Sequence, residues 1–361
     1  MPLVAHNTLP SFDRLAAEGA KVLSQDAALR QDIRELHIGL LNMMPDSALA
    51  ATERQFLRLI GASNPIAQFY VHPFTLPALP RSADAQAYIA RYYESFEQIR
   101  ADGLDALIIT GANISQPALS QEPFWAPLKA VITWAERNVT STLCSCLATH
   151  AVLEFKYRQT RRRQAAKTWG VYRHRVTDAD HPLVSDINTR FDVPHSRWNT
   201  VDRRQFHAAG LRILVESDEV GVHLATSADG LRFIFFQGHP EYDTISLLKE
   251  FKREALQHQP GAPRCAPVIP DNVFGAYEQA IINEYHDHRH TASTPPDFPE
   301  ALLRRRLDNT WRDTAYAVLS KWLGLVYQTT HTDRGIPFMP HIDPDNPLQL
   351  KAAAPPHSHL G

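Results

Sequence analysis

Apolar positions along this chain alternate between two periods. Residues 36–42 form a short apolar run of strand length, and residues 48–59 then carry Leu49, Thr52, Phe56 and Leu59 at helical spacing, with Gly61 as the C-terminal stop. Residues 66–71 read as a second strand. Residues 84–99 follow as one helix, with Asp84 as N-cap and Tyr88, Tyr92, Tyr93 and Phe96 recurring at three-to-four spacing. A third strand at residues 107–110 closes on Gly111-Ala112-Asn113, and residues 125–137 are again helical. A β-branched and apolar strand, residues 140–146, then runs into a helical pattern directly after Cys146. The first 35 residues hold one helical piece, at 12–29. Strands alternating with helices of roughly 10–15 residues predict βαβ units and an α/β fold with a doubly wound, mostly parallel sheet flanked by helices. Ligands in such sheets sit at the carboxyl ends of the strands, so the loops after Asn42, Thr110 and Cys146 should face one another.

From about Gly170 the pattern changes. Residues 171–176, 211–215, 220–224 and 233–236 are strand-like with few helices between them, and no linker intervenes. This predicts an antiparallel or mixed extension of the same sheet. Residues 243–258 suit a helix, 260–267 a loop, and 273–285 and 299–327 two further helical segments. The chain therefore divides into a lead-in (1–35), an α/β domain (36–258), a C-terminal helical extension of that domain (259–335) and a Pro-rich tail (336–361) expected to be poorly ordered. There is no internal repeat.

Composition narrows the function classes. Among 361 residues 44% are apolar and the formal net charge is −2, so no global field recommends nucleic acid or an anionic membrane as partner. No apolar run approaches the roughly 18–20 residues that span a bilayer. The N-terminal residues lack the basic head and apolar stretch of a secretion signal. Three cysteines, two of them one residue apart, suit a reducing compartment, and a cytoplasmic location is expected. The apolar C-terminal helices suggest a homodimer.

Cys146 is the candidate centre of chemistry. A residue at a strand-to-helix corner projects from the sheet edge, where the free N–H groups of the first helical turn favour thiolate over thiol. Cys144, two residues earlier on the same face, reads as a buried small hydrophobe, and Cys265 as incidental. No second cysteine pair or spaced histidine pair accompanies them, so no metal site is expected. A cysteine nucleophile needs a base. His239 follows an apolar strand, with Gly238 allowing a sharp turn, and Glu241 can bend back to hold the other ring nitrogen. Taken singly, Lys167 and Arg253 read as solvated charges. Arg161-Arg162-Arg163 reads as a solvated loop, with contact to a substrate phosphate as the alternative, and residues 180–183 and 194–198 read as loops.

With these motifs in hand, the sequence resembles the homoserine O-acyltransferases of methionine biosynthesis, specifically the homoserine trans-succinylase family, whose fold is similar to class I glutamine amidotransferases. The resemblance runs from about Leu36 to Tyr327. It rests on Leu41-Asn42-Met43-Met44-Pro45, on residues 52–59, on Ile109-Thr110-Gly111-Ala112, on residues 138–143, on Gly170-Val171-Tyr172, on Pro194-His195-Ser196-Arg197 and on residues 238–243. It implies that Cys146 carries the acyl group, His239 is the general base and Glu241 orients it. Lys167, Ser196 and Arg253 match positions that hold the amino-acid substrate. Ser115 falls where a glutamate goes with acetyl and a small residue leaves room for succinyl. The family commonly has two lysines where this chain has Asp46-Ser47, and a Trp, a Gln and a Pro where it has Leu147, His150 and Asn113.

The expected reaction is a ping-pong transfer from succinyl-CoA to the γ-hydroxyl of L-homoserine, with no cofactor beyond the co-substrate. The backbone N–H of Leu147 and one from the Gly111–Asn113 loop would face the oxyanion. Acetyl-CoA as donor and serine as acceptor are the nearest alternatives. Glutamine amide hydrolysis, which uses the same Cys and His-x-Glu set, and a non-catalytic interaction module are the others.

Overall fold

The computed structural model describes residues 3–63, 67–257, 268–291 and 296–351. In chain order its elements begin with β1 (Leu3–Ala5), α1 (Pro10–Ala17), β2 (Val22–Ser24), α2 (Gln25–Leu29), β3 (Glu35–Leu41), α3 (Asp46–Ser63) and β4 (Gln68–Phe74). There follow α4 (Ala83–Tyr92), α5 (Phe96–Asp102), β5 (Ala106–Ile109), α6 (Trp125–Asn138), β6 (Ser141–Ser145) and α7 (Leu147–Tyr157). The second half holds β7 (Arg162–Val176), β8 (Arg190–Thr200), α8 (Arg203–Ala208), β9 (Arg212–Ser217), β10 (Gly221–Thr226) and β11 (Phe233–Phe236). It ends with α9 (Ser246–Gln257), α10 (Ala276–Thr291), α11 (Glu300–Arg304) and α12 (Arg312–Thr329).

The eleven strands form one sheet in the order β2-β1-β4-β3-β5-β6-β11-β10-β9-β7-β8. Pairing is parallel from β2 through β11 and antiparallel from β11 through β8. Alternation along the central strands feeds two cores. Ile108, Leu143, Ile234 and Phe236 pack with α3 and α12 on one face, while Leu107, Ile109, Cys144, Phe233 and Phe235 pack with α6 and α7 on the other. A third, smaller core lies under Trp169 of β7 and is filled by Leu248 and Phe251 of α9, Phe274, Ile282 of α10 and Leu303 of α11.

The parallel half follows the predicted order, with corrections at its edges. The helix expected at 12–29 is instead α1 and α2 separated by β2, because β1 and β2 pair in parallel at the sheet edge. α3 runs through Gly61 to Ser63. The helix expected at 84–99 is two, each started by a serine hydroxyl: Ser82 accepts from the amide of Ala85, and Ser95 from that of Gln98. The segment 299–327 is likewise two helices, α11 and α12. Residues 194–198, expected to be a loop, lie inside β8, paired with β7 from Thr168↔Arg197 to Val171↔Pro194. Arg162 and Arg163 are in β7 rather than a loop, and Arg161 is buried.

The stretch after α12 also departs from expectation as far as it is described. Phe338 is buried against the first core, Leu348 packs on it, and Thr330 bridges to Phe338. Thr140 Oγ1 lies 2.8 Å from Thr330 Oγ1, which donates to Asp105 Oδ1 at 3.1 Å. The apolar side of α12, with Val318, Leu319, Trp322, Leu323 and Val326, is buried inside the protomer, which accounts for the apolarity that suggested a dimer. The loop 260–267, with Cys265, lies outside the described residues.

Candidate active site

β6 delivers its chain to a sharp corner at the carboxyl edge of the sheet. Cys146, the residue at the corner, has φ 52° and ψ −107°, a conformation that non-glycine residues rarely adopt. The corner is pinned from both sides: Cys146 N donates to Phe236 O at 2.8 Å, and Thr149 Oγ1 is 2.8 Å from Cys144 O and 2.9 Å from Phe236 O. Cys146 is half-buried, whereas Cys144 is fully buried, and burial pushes its thiol pKa up. Leu147 opens α7, so its amide has no acceptor four residues back in the helix. A Cβ built on Gly111 would stand 3.7 Å from Cys146 Cβ and 4.0 Å from Leu147 N, so the loop after β5 closes over the start of α7.

The neighbouring strand, β11, ends at Phe236 and brings His239 to the same edge. Gly238 is needed here for closeness rather than for a special turn. A Cβ on it would meet Val193 Cγ1 at 2.6 Å and His195 Nε2 at 2.8 Å, both on β8. His239 N donates to Pro194 O at 2.8 Å, which ties the histidine to β8. Its Nδ1 is 2.7 Å from Glu241 Oε1, and its ring lies close enough to Cys146 for the sulfur's charge to act on it. Burial alone would lower the His239 pKa, but the charges of Glu241 and of the Cys146 sulfur raise it well above the usual imidazole range. Glu241 Oε2 is buried without a hydrogen-bond partner among the described residues.

A second carboxylate, Glu250 on α9, collects the next ring of groups. It accepts from Tyr242 Oη at 2.7 Å, Ser196 Oγ at 2.7 Å and Trp169 Nε1 at 3.1 Å. Lys167 Nζ is 3.7 Å from Glu250 and 2.8 Å from Glu254, and sits 3.9 Å from the centre of the Trp169 ring. The Tyr242 ring stacks on His239 with centroids 4.3 Å apart, so Glu250 and the imidazole are joined through one side chain. Lys167 and Ser196, expected at the substrate, are thus brought together around Glu250, a residue the sequence did not single out. Arg253 lies one turn further along α9; it is exposed and makes no ion pair among the described residues.

Ser115 follows β5 and is held by a buried carboxylate. Glu122 Oε1 accepts from the amides of Ser115 at 2.6 Å and Gln116 at 2.7 Å, and Glu122 Oε2 lies 3.1 Å from Ser115 Oγ. Asp46, where the resembled family has lysine, accepts from Ser82 N at 2.8 Å and Arg81 Nη1 at 3.2 Å. Arg81 Nη1 also donates to Met44 O at 2.6 Å, so the replaced lysine position has become a brace for the loop after β3. His150 Nε2 is 3.0 Å from Gln237 Oε1, and full burial lowers its pKa to about 3, which keeps the ring neutral.

Glu250 escaped the sequence reading because nothing local marks it, and Tyr242 and Arg161 stood in the motifs at 238–243 and 161–163 without the roles the fold gives them. Each is defined by what folds against it. Among the described residues, His6, His72 and Glu94 bring ligand atoms within 4.8 Å of one another. They lie beside β1 and β4, with β3 and β5 between them and β6, and His72 is already bonded to Glu94 at 2.6 Å and to His37 at 2.9 Å. No helix among the described residues is long and apolar enough to cross a membrane.

Known proteins resemble this chain over nearly its whole length. The homoserine O-succinyltransferase family model matches residues 2–332. A homoserine O-succinyltransferase of Thiobacillus denitrificans is 63% identical over 350 residues, covering 97% of this chain and 100% of that protein. One of Allochromatium vinosum is 62% identical over 354 residues, covering 97% and 99%. Among solved structures, a glutamine amidotransferase from Thermotoga maritima covers 82% of this chain and 100% of its own, at 10% identity and a TM-score of 0.44. The chain belongs to the homoserine O-succinyltransferase family.

Proposed function

We propose that the protein transfers the succinyl group of succinyl-CoA to the γ-hydroxyl of L-homoserine through a thioester on Cys146, a step of methionine biosynthesis carried out in the cytoplasm. The observation that carries the reading is the Glu241–His239 hydrogen bond at the carboxyl edge of the sheet, with the Cys146 sulfur near enough to act on the imidazole, on a chain of this family. The sulfur attacks the thioester carbonyl. The C–S bond to CoA breaks, and the departing thiolate takes a proton from the imidazolium of His239. Acylation removes the charge on sulfur, which is one of the causes that raise the His239 pKa. The ring is thereby left neutral and able to act as a base. It then accepts the proton of the homoserine hydroxyl as that oxygen attacks the acyl-enzyme; the C–S bond to Cys146 breaks, O-succinylhomoserine leaves, and the thiolate–imidazolium pair is restored.

The Leu147 amide and the loop at Gly111 are the donors we assign to the oxyanion. Lys167, Ser196 and Arg253 hold homoserine, Arg253 through paired hydrogen bonds to the α-carboxylate. The small, neutral Ser115 favours succinyl over acetyl. No resident cofactor enters this route, since succinyl-CoA arrives and CoA leaves as co-substrate and co-product. Intact-mass spectrometry of the protein mixed with succinyl-CoA alone tests the reading. The expected result is one succinyl adduct, localised to Cys146 by peptide mapping. An adduct on another residue, or turnover with acetyl-CoA exceeding that with succinyl-CoA, would refute it.

A further inference from the structure

Two arginines are buried within reach of the Cys146 charge, and they differ in what their nitrogens do. Arg197 is 4% exposed and fully engaged: Nε points at His195 Nδ1 at 3.4 Å, Nη1 donates to Gln164 Oε1 at 3.2 Å and Asn199 O at 3.0 Å, and Nη2 donates to Val220 O at 2.6 Å. Arg161 is 8% exposed, yet both Nη1 and Nη2 are buried with no hydrogen-bond partner among the described residues. Burial disfavours its charge, and the charges of Glu154, Glu122 and Cys146 act on it in the opposite sense. Neither glutamate forms an ion pair with it among the described residues, and Glu122 is already occupied by Ser115 and Gln116. A buried guanidinium with both terminal nitrogens unpartnered by protein groups is costly unless an anion completes it.

Arg161 lies in the last stretch before β7, within electrostatic range of both the sulfur that would carry the acyl group and the carboxylate that holds the Ser115 loop. The fork offers two parallel N–H groups, the geometry that receives a carboxylate in a bidentate manner. The group that must lie between these points, under the function proposed above, is a four-carbon acyl chain whose far end is itself a carboxylate. An acetyl group ends two carbons short of that point and carries no charge.

We propose that Arg161 is the residue that reads the acyl donor's far end: Nη1 and Nη2 bind the distal carboxylate of the succinyl group while its other end is bonded to the sulfur of Cys146. The site thus selects a dicarboxylic monoacyl group by a charge, in addition to the space left by Ser115. This inference rests on the acyl-enzyme reading and adds a determinant to it.

The test compares three thioesters, succinyl-CoA, acetyl-CoA and the neutral carboxamide analogue succinamoyl-CoA, on the wild type and on Arg161→Met and Arg161→Lys. The readouts are kcat/KM and the rate of adduct formation on Cys146. For Arg161→Met the expected loss is about 10²–10³-fold with succinyl-CoA and less than about threefold with the two neutral donors; Arg161→Lys, which keeps the charge but not the fork, should recover part of it. Wild-type protein alone should prefer succinyl-CoA over succinamoyl-CoA by a comparable factor, a comparison that stands even where a variant does not fold. Equal loss with all three donors would mean that Arg161 supports the fold or reads the CoA portion. Equal wild-type rates with the charged and neutral donors would also overturn the proposal. If wild-type protein forms no succinyl adduct at all, the acyl-enzyme reading fails first and this inference falls with it. A wild-type adduct with donor-independent losses sinks the inference alone.

Discussion

The sheet has two halves built on different terms. From β2 to β11 the strands are parallel, and the central ones are buried on both faces, with wholly apolar runs in Ala106-Leu107-Ile108-Ile109 and Phe233-Ile234-Phe235-Phe236. From β10 to β8 they are antiparallel, and β7 and β8 mix buried with exposed positions and carry arginines, histidines and a lysine. The parallel half supplies Cys146 and His239. The antiparallel half supplies Lys167 and Ser196, and it anchors Gly238 and His239 through Val193 and Pro194. The difference teaches a division of labour: the atoms proposed to react stand on the regular scaffold, and Lys167 and Ser196, two of the groups assigned to the acceptor, stand on the irregular arm beside it.

That division can be broken experimentally. Replacing Cys146 by Ala strikes the parallel half at the atom proposed to react. Turnover should fall about 10⁴–10⁶-fold, with no acyl adduct by mass spectrometry and no loss of melting temperature. Substituting Glu250→Gln strikes the other half. It weakens the acceptor of Ser196 and Tyr242 and the partner of Lys167, so kcat/KM for homoserine should fall by about 10² while formation of the succinyl-enzyme changes less than about threefold. Stopped-flow measurement of CoA release against steady-state turnover separates the two steps, and equal losses in both would dissolve the distinction between the halves.

Acid provides a milder probe, read on the antiparallel arm. Burial lowers the pKa of His174 to about 4 and that of His195 and His223 well below the usual imidazole range. In the unfolded chain each ring titrates near its ordinary value of about 6.5. Below that pH the unfolded chain takes up protons that the folded one refuses, so stability is fully present above it and falls as pH drops toward the folded values. For His174 alone the loss between pH 7 and pH 5 is about 2 kcal/mol. Urea midpoints at the two pH values check the sign, and His174→Gln should flatten the dependence by about that amount. The smallest effect is a control on the parallel half: Ser95→Ala removes the N-cap of α5, which should cost about 1 kcal/mol in denaturation and leave kcat unchanged.

How far each half could be read beforehand follows from the same contrast. Uniform apolar runs identified β3 and β5, and β11 as well, and the strand-to-corner switch identified Cys146. The Gly-His-Pro-Glu turn was legible because Glu241 reaches His239 within two residues. β8 was not legible. Pro194-His195-Ser196-Arg197-Trp198 has the composition of a loop, and its polar residues fit a sheet only because Arg197 meets Gln164, Asn199 and Val220, and Ser196 meets Glu250. Arg161 was misread for the same reason in reverse, since three successive arginines look solvated, with a substrate phosphate as the alternative, until the fold buries the first. β1 and β2, three residues each, are too short to carry a period of their own.

The left-handed backbone at Cys146 sets stability against chemistry at a single position. Any L-residue there holds a torsion that disfavours it by about 1–3 kcal/mol, and glycine is the substitution that would relax it. A lineage selected for folding alone would drift toward glycine at this corner and become sturdier and, under the proposed mechanism, inert. That a sulfur stands there instead marks the site where the chain accepts a weaker fold so that one atom is presented at the sheet edge.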